Sequence, residues 1–178
     1  PQALIPSHDR TTLRGFWDQA NGGYFFTAAE EQSLIVRKKD FSDEAIPSGN
    51  SIAALNLLKL YHFTFKKPYR DQADALLKAA SGSLSSYPSA FASALIALDY
   101  RASRVKEIVI VGPKDAPSAI ELRDFVWREF LPNKIIASGE PAALEDLEAA
   151  APFRGKALIE GKATFYVCEN NTCKLPTN

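Results

Sequence analysis

The chain has no methionine, only two cysteines, only two histidines, and no excess of charge of either sign. Without methionine it cannot start at its own initiation codon. The expectation is therefore a segment of a longer protein, with initiator removal before Pro1 as the plainer alternative. Lys and Arg number 21 and Asp and Glu number 21, so no basic surplus points to nucleic acid or to an anionic membrane surface. No apolar run approaches the roughly 20 residues of a membrane span. The opening PQALIPSHDR lacks the charged start and apolar centre of a secretion signal. A cytoplasmic chain is expected, with no nucleic-acid and no membrane partner. Two cysteines and the distant His8 and His62 are too few for a structural zinc site. No metal and no other cofactor is expected.

What is present is a chain of 178 residues, 46% apolar and 24% charged, with room for one domain or a tight pair. Its organising stretch is KKDFSDEAIPSGNSIAALNLLKLY, Lys38 to Tyr61. Pro47 pushes Ile46 into an extended conformation, so no helix can run in from the acidic side. Ser48 can cap a helix that starts at Gly49 and runs through Ile52, Leu55, Leu57, Leu58 and Leu60. The unpaired N–H groups of that helix start would face Asp40, Asp43 and Glu44, with Arg37, Lys38 and Lys39 alongside. Carboxylates in unequal surroundings can do acid–base work, and solvated pairing with lysines is the plain alternative. Asn50, on the first turn of an apolar helix, needs a loop carbonyl or a ligand hydroxyl.

Residues 10–17 read as the last turns of a helix broken by Asn21-Gly22-Gly23. Tyr24–Thr27 and Leu34–Arg37 read as the strands of a small hairpin. Pro68 suits the start of a second helix carrying Tyr69, Ala73, Leu76, Leu77, Ala80 and Leu84 at helical spacing. Another helix follows Tyr87-Pro88-Ser89, with apolar positions Phe91, Leu95, Ile96 and Leu98. From Lys106 the pattern changes. Ile108–Val111 and Lys134–Ala137 read as buried strands, separated by a helix that Ser118 and Glu121 would start as a capping box. A short helix over about 141–150 and a third strand at Ala163–Cys168 complete a small parallel layer.

Aromatic residues Phe16, Trp17, Tyr24, Phe25 and Phe26 gather around the glycine pair, and flat rings beside polar groups suit sugar binding. Ordinary core packing is the alternative for Phe25 and Phe26. Cys168 and Cys173 stand five positions apart after the third strand. Two reduced, structural thiols are the preferred reading and a reversible disulfide the other. Val111-Gly112-Pro113-Lys114 has the place of a nucleotide loop without its glycine pattern, and reads as a turn.

Four stretches together resemble a known family: GGYFFT at 22–27, D-x-A-x-PSGNS-x-AA at 43–54, LPNK at 131–134 and ATFYVCENNTC at 163–173. The chain is similar in order, over nearly its whole length, to the C-terminal part of the spermatogenesis-associated-protein-20 and YyaL family. Glu44 departs from the glycine usual there. The resemblance implies a thioredoxin-like domain upstream and an α/α toroid of the six-hairpin glycosidase type. Sugar epimerases share that toroid and similarly pair a segment like Trp17, Asp18, Gly22, Gly23, Tyr24 and Phe25 with a later cavity-lining helix.

The expected fold is mixed α and β. A partial toroid with a small hairpin would occupy residues 1–104, and a small α/β subdomain with parallel strands residues 105–178. The expected function is that of a carbohydrate-active protein, epimerase-, isomerase- or glycosidase-like. Asp43 would be its acid–base group, and Tyr24, Arg37, Lys38, Asp40, Ser48 and Asn50 would bind a small sugar-like ligand. The alternative is a non-catalytic or thiol-redox module, in which Cys168 and Cys173 work with the thioredoxin-like domain. In either case the upstream half of the same polypeptide is the expected partner.

Overall fold

The computed structural model describes residues 15–31, 35–142, 154–170 and 172–177. Its architecture is mixed α and β, and the chain divides into two compact units. The first comprises 1–58 and 67–101, the second 59–66 and 102–178.

The first unit is helical. Helix α1 spans Gly49–Thr64, α2 spans Lys67–Ser86, a short 3-10 turn occupies Pro88–Ala90, and α3 spans Ala92–Ala102. The start of α1 falls where Pro47 and Ser48 place it. Its end is also local. The Thr64 hydroxyl donates to the Leu60 carbonyl and accepts from the Lys66 N–H, while Phe65 turns left-handed at φ 52°. A continued helix is impossible from such a backbone. The residues of these helices that lie in the first unit bury Ala54, Leu57, Leu58, Ala73, Leu76, Ala80, Ala94, Ala97 and Tyr100, with Phe91 just ahead of α3. Five of those ten are alanines, which lets backbones approach closely.

Three expectations need correction here. Phe91 is buried, but Leu95, Ile96 and Leu98 are exposed. The inward stripe of α3 is Ala94, Ala97 and Tyr100, three residues apart, so the larger apolar side chains are carried on the remaining faces. The hairpin strands do not form among the described residues, though 32–34 lie outside them. In their place the loop has an isolated bridge, Trp17 with Tyr24, and backbone bonds such as that from the Phe26 N–H to the Lys38 carbonyl. Of the expected helix end at 10–17, residues 10–14 lie outside the described residues, and 15–17 form a turn leading into that bridge.

The second unit is built on a four-stranded sheet, β1 Lys106–Val111, β2 Lys134–Gly139, β3 Thr164–Glu169 and β4 Thr172–Cys173, in the order β2-β1-β3-β4. Helix α4, Pro117–Arg128, links β1 to β2, which run parallel. The helix begins on Pro117 without a side-chain cap, so the expected Ser118–Glu121 capping box is replaced by proline's fixed φ. β3 runs antiparallel to β1, and β4 antiparallel to β3. The layer is therefore mixed, not parallel. Just before β3, Glu160 and Gly161 both take positive φ and Ile159 bridges Lys162. The expected short helix lies, beyond Ala142, outside the described residues.

β1 is the central strand, and Glu107 to Val111 are all buried. One face gathers Val109, Val111 and Ile135 with Phe63, Leu158 and Tyr166. The other gathers Ile110, Ala119 and Ala163 with Leu122 and Phe165. Among the described residues no helix is long and apolar enough to cross a membrane.

Candidate functional site

The polar cluster ahead of α1 is assembled by the chain around its own backbone. Asn50 is 4% exposed. Its Oδ1 accepts the Tyr24 N–H at 2.6 Å, and its Nδ2 donates to the carbonyls of Tyr24 at 3.0 Å and Asp40 at 2.8 Å. Both amide hydrogens are thus used, and the side chain fastens two loops to the first turn of the helix. Between the two partners sequence allows Asn50, the loop carbonyl is the one present. Gly23 permits this approach. Its φ is +93°, and a Cβ there would lie 2.7 Å from Phe41 Cζ.

Asp43 behaves as a double cap. Its Oδ1 accepts the Ser48 N–H at 2.8 Å, beside the start of α1, and its Oδ2 accepts the Ser93 N–H at 2.7 Å, in the first turn of α3. Burial of the carboxyl opposes ionisation, yet the Ser48 and Ser93 bonds outweigh it and hold its pKa below the ordinary carboxylate value. The positive helix ends that might have drawn an anionic ligand receive this carboxylate instead. The Ser48 hydroxyl does not cap; it donates to the Asp40 carbonyl at 3.3 Å. Asp40 closes its own turn by accepting the N–H and hydroxyl of Ser42, which together hold its pKa at about 2, with Lys38 3.2 Å away adding to the effect.

The cations are occupied in the same manner. Arg37 donates to the carbonyls of Gly15 at 2.9 Å and Thr27 at 2.6 Å, with its guanidinium stacked 4.1 Å from the Phe25 centroid. Its hydrogen bonds go to these carbonyls and not to the carboxylates, which corrects the expectation that Arg37 stands alongside Asp40, Asp43 and Glu44. Lys38 is exposed. Lys39 pairs with Asp18 at 2.7 Å and the Gly22 carbonyl at 2.7 Å, and Lys39 is the main cause of a strongly lowered Asp18 pKa. The Tyr24 ring meets Trp17 edge-on at 5.0 Å, and its hydroxyl accepts from Gln72 at 2.9 Å. Burial raises the Tyr24 pKa against the opposing pull of Gln72. Seven sequence-selected residues are therefore brought into one region, and six of them spend polar atoms on holding the main chain or a neighbouring helix. The seventh, Lys38, is exposed and pairs with Asp40.

The second unit holds a different arrangement. Cys168 and Cys173 are joined by a disulfide. This corrects the preferred reading of two reduced thiols. Glu169 and Thr172 pair beyond a turn at Asn170, whose φ is 50°, and that register sets the two cysteines directly opposite. Cys168 is 2% exposed, whereas Cys173 is open to solvent. The Lys156 ammonium lies 2.9 Å from Cys173 Sγ and 5.1 Å from the Tyr166 centroid.

Sequence reasoning missed Lys156, His62 and Glu107. Glu107 is 1% exposed on β1, and its Oε1 lies 3.1 Å from His62 Nδ1 in the last turn of α1. Lys106 and Glu169, the neighbours of Glu107 and Cys168, form a 2.8 Å ion pair that lowers the Glu169 pKa. The available signal was a carboxylate opening an otherwise apolar strand, KEIVIV. Among the described residues no three of His, Cys, Asp and Glu are grouped to hold a metal ion.

No family model matches the chain. It is 39% identical to spermatogenesis-associated protein 20 of Homo sapiens over 165 residues, which is 90% of this chain and 21% of that protein. The Mus musculus protein of the same name is 37% identical over the same shares. An uncharacterised protein of Caenorhabditis elegans is 32% identical over 162 residues, 90% of this chain and 22% of its own length. The chain spans about a fifth of the length of the curated relatives it matches.

Proposed function

Because the chain belongs to the spermatogenesis-associated protein 20 family, as a segment about a fifth as long as those relatives, we propose that it serves a larger polypeptide as its thiol–disulfide exchange module. The observation that carries this reading is the Cys168–Cys173 disulfide, with Cys168 buried and Cys173 an exposed residue beside Lys156. An ammonium group next to a sulfur favours its thiolate, which makes it a better leaving group. In a cytoplasmic setting a disulfide is a working bond more often than a staple. The redox partner would be the thioredoxin-like domain that the family resemblance implies.

In this reading the first unit is a non-catalytic part of a toroid. Ile52, Leu95, Ile96 and Leu98 are exposed, and fully burying such side chains is worth about 1.5–3 kcal/mol each. The remaining polypeptide would cover them. The carbohydrate-active alternative needs Asp43 as an acid–base group, but both its oxygens accept backbone N–H groups, which gives that alternative little support.

The test uses the full-length protein treated with reduced thioredoxin, quenched with acid and alkylated. The peptide 163–174 holds both cysteines, so its mass counts the thiols released. Two labels should appear together in the wild type and none in Cys173→Ser, where thioredoxin has no disulfide to reduce and only a constant Cys168 thiol remains to be blocked beforehand. A wild-type pair that stays oxidised in folded protein under excess thioredoxin overturns the reading.

A further inference from the structure

A row of side chains crosses the sheet of the second unit. Ile135 on β2, Glu107 on β1, Cys168 on β3 and Cys173 on β4 are successive cross-strand partners. Directly paired residues send their side chains to the same face, with Cβ atoms about 4.5–5.5 Å apart. The buried Glu107 and Cys168 side chains therefore leave neighbouring positions on one face of the sheet. The Glu107 Oε1 meets His62, while its Oε2 is buried without a hydrogen-bond partner among the described residues. A polar atom left in that state costs free energy, and native proteins keep such atoms where they are used. The His62 side chain is 15% exposed against 1% for Glu107, so the pair runs from the buried strand towards solvent.

We propose that Glu107, positioned by His62, passes a proton to and from the Cys168 sulfur during exchange; this rests on the redox reading above. An external dithiol enters at exposed Cys173. Its thiolate bonds to Cys173 Sγ, the Cys168–Cys173 bond breaks, and Cys168 leaves as a thiolate that takes a proton from the Glu107–His62 pair. The second thiol of the dithiol loses its proton to solvent and attacks the mixed disulfide. Cys173 then leaves as a thiolate beside Lys156. The dithiol is oxidised by two electrons to its disulfide, the cysteine pair is reduced by two, and His62 restores the proton from solvent. The reverse direction uses the same groups, with Glu107 accepting the Cys168 proton. Among the described residues Glu107 meets His62 from α1 and has Cys168 as its register partner on β3, with Tyr166 two positions along the same face of β3, while β2 offers apolar Ile135. The Lys106–Glu169 pair occupies adjacent strand positions and so lies on the opposite face.

The experiment follows reduction of the pair by dithiothreitol as a function of pH in full-length wild type, Glu107→Gln and His62→Gln, read by the mass of alkylated peptide 163–174. Glu107→Gln should slow reduction roughly 100-fold, the lower end for general acid–base assistance, and should remove the pair's contribution to the pH profile. His62→Gln should slow it less and displace the profile. A wild-type rate and profile in Glu107→Gln overturn the proposal. Should that variant not fold, an unchanged profile in His62→Gln overturns it equally. Wild type is measured first: a disulfide that resists the dithiol defeats the redox reading itself, which keeps the two failures apart.

Discussion

The cluster ahead of α1 and the row across the second unit's sheet are both rich in polar groups, but they differ in what those groups have left to offer. Asn50, Asp43 and Arg37 make eight hydrogen bonds to main-chain atoms. Among the described residues Glu107 keeps one oxygen unpartnered, and Cys173 stands exposed beside a cation. A concentration of polar side chains at a helix mouth is thus no evidence of chemistry until the partners are counted. In the first region the polar atoms close the structure. In the second, the proposed exchange would draw on what is left over.

Substitutions should separate the regions by what is lost. Asn50→Ala should have the largest effect, because three backbone groups lose a partner in a buried place. A loss of about 3 kcal/mol from the first unit is expected in chemical denaturation, with exchange at the disulfide unchanged. Asp43→Ala removes a shared cap from two helices and should cost about 2 kcal/mol. A stable Asp43→Ala protein that had lost a catalytic activity would break the comparison and revive the carbohydrate reading. Lys156→Met should leave stability near wild type and slow exchange about tenfold, which is about 1.4 kcal/mol in the barrier.

Acid should sharpen the contrast further. Asp18, Asp40 and Asp43 have pKa values below those of an unfolded chain. Their stabilising contribution is complete above the unfolded value of about 3.9 and is lost as pH falls through the folded values, about 2 for Asp40. Circular dichroism should therefore show the first unit weakening only below about pH 4. The smallest effect belongs to the exposed Lys67–Asp71 pair on α2, where Asp71→Ala should change stability by less than about 0.5 kcal/mol.

Local signals carried much of the fold. Pro47 and Ser48 mark the start of α1, Pro68 sits at the second residue of α2, and the β-branched runs at 108–111 and 134–137 lie in β1 and β2. Each depends on residues within a few positions. The direction of β3 was not legible, because its pairing with β1 joins residues far apart in sequence. Burial of the small face of α3 was not legible either, since Leu95 and Ile96 would be the natural core choices where a helix packs alone. The polar cluster was located correctly but its use was not, because Asn50 has partners 26 and 10 residues away. Glu107 was invisible for the same reason: His62 is 45 residues distant, and Cys168 joins it only through sheet register.

The most direct test of the central claim is the equilibrium between Cys168–Cys173 and glutathione in the full-length protein, read as the fraction of peptide 163–174 carrying two labels. The account predicts full exchange in folded protein with a midpoint above about −300 mV, within reach of a cytosolic thiol pool. A pair that stays oxidised well below that potential, or opens only when the protein unfolds, would make the disulfide a structural staple and contradict the account.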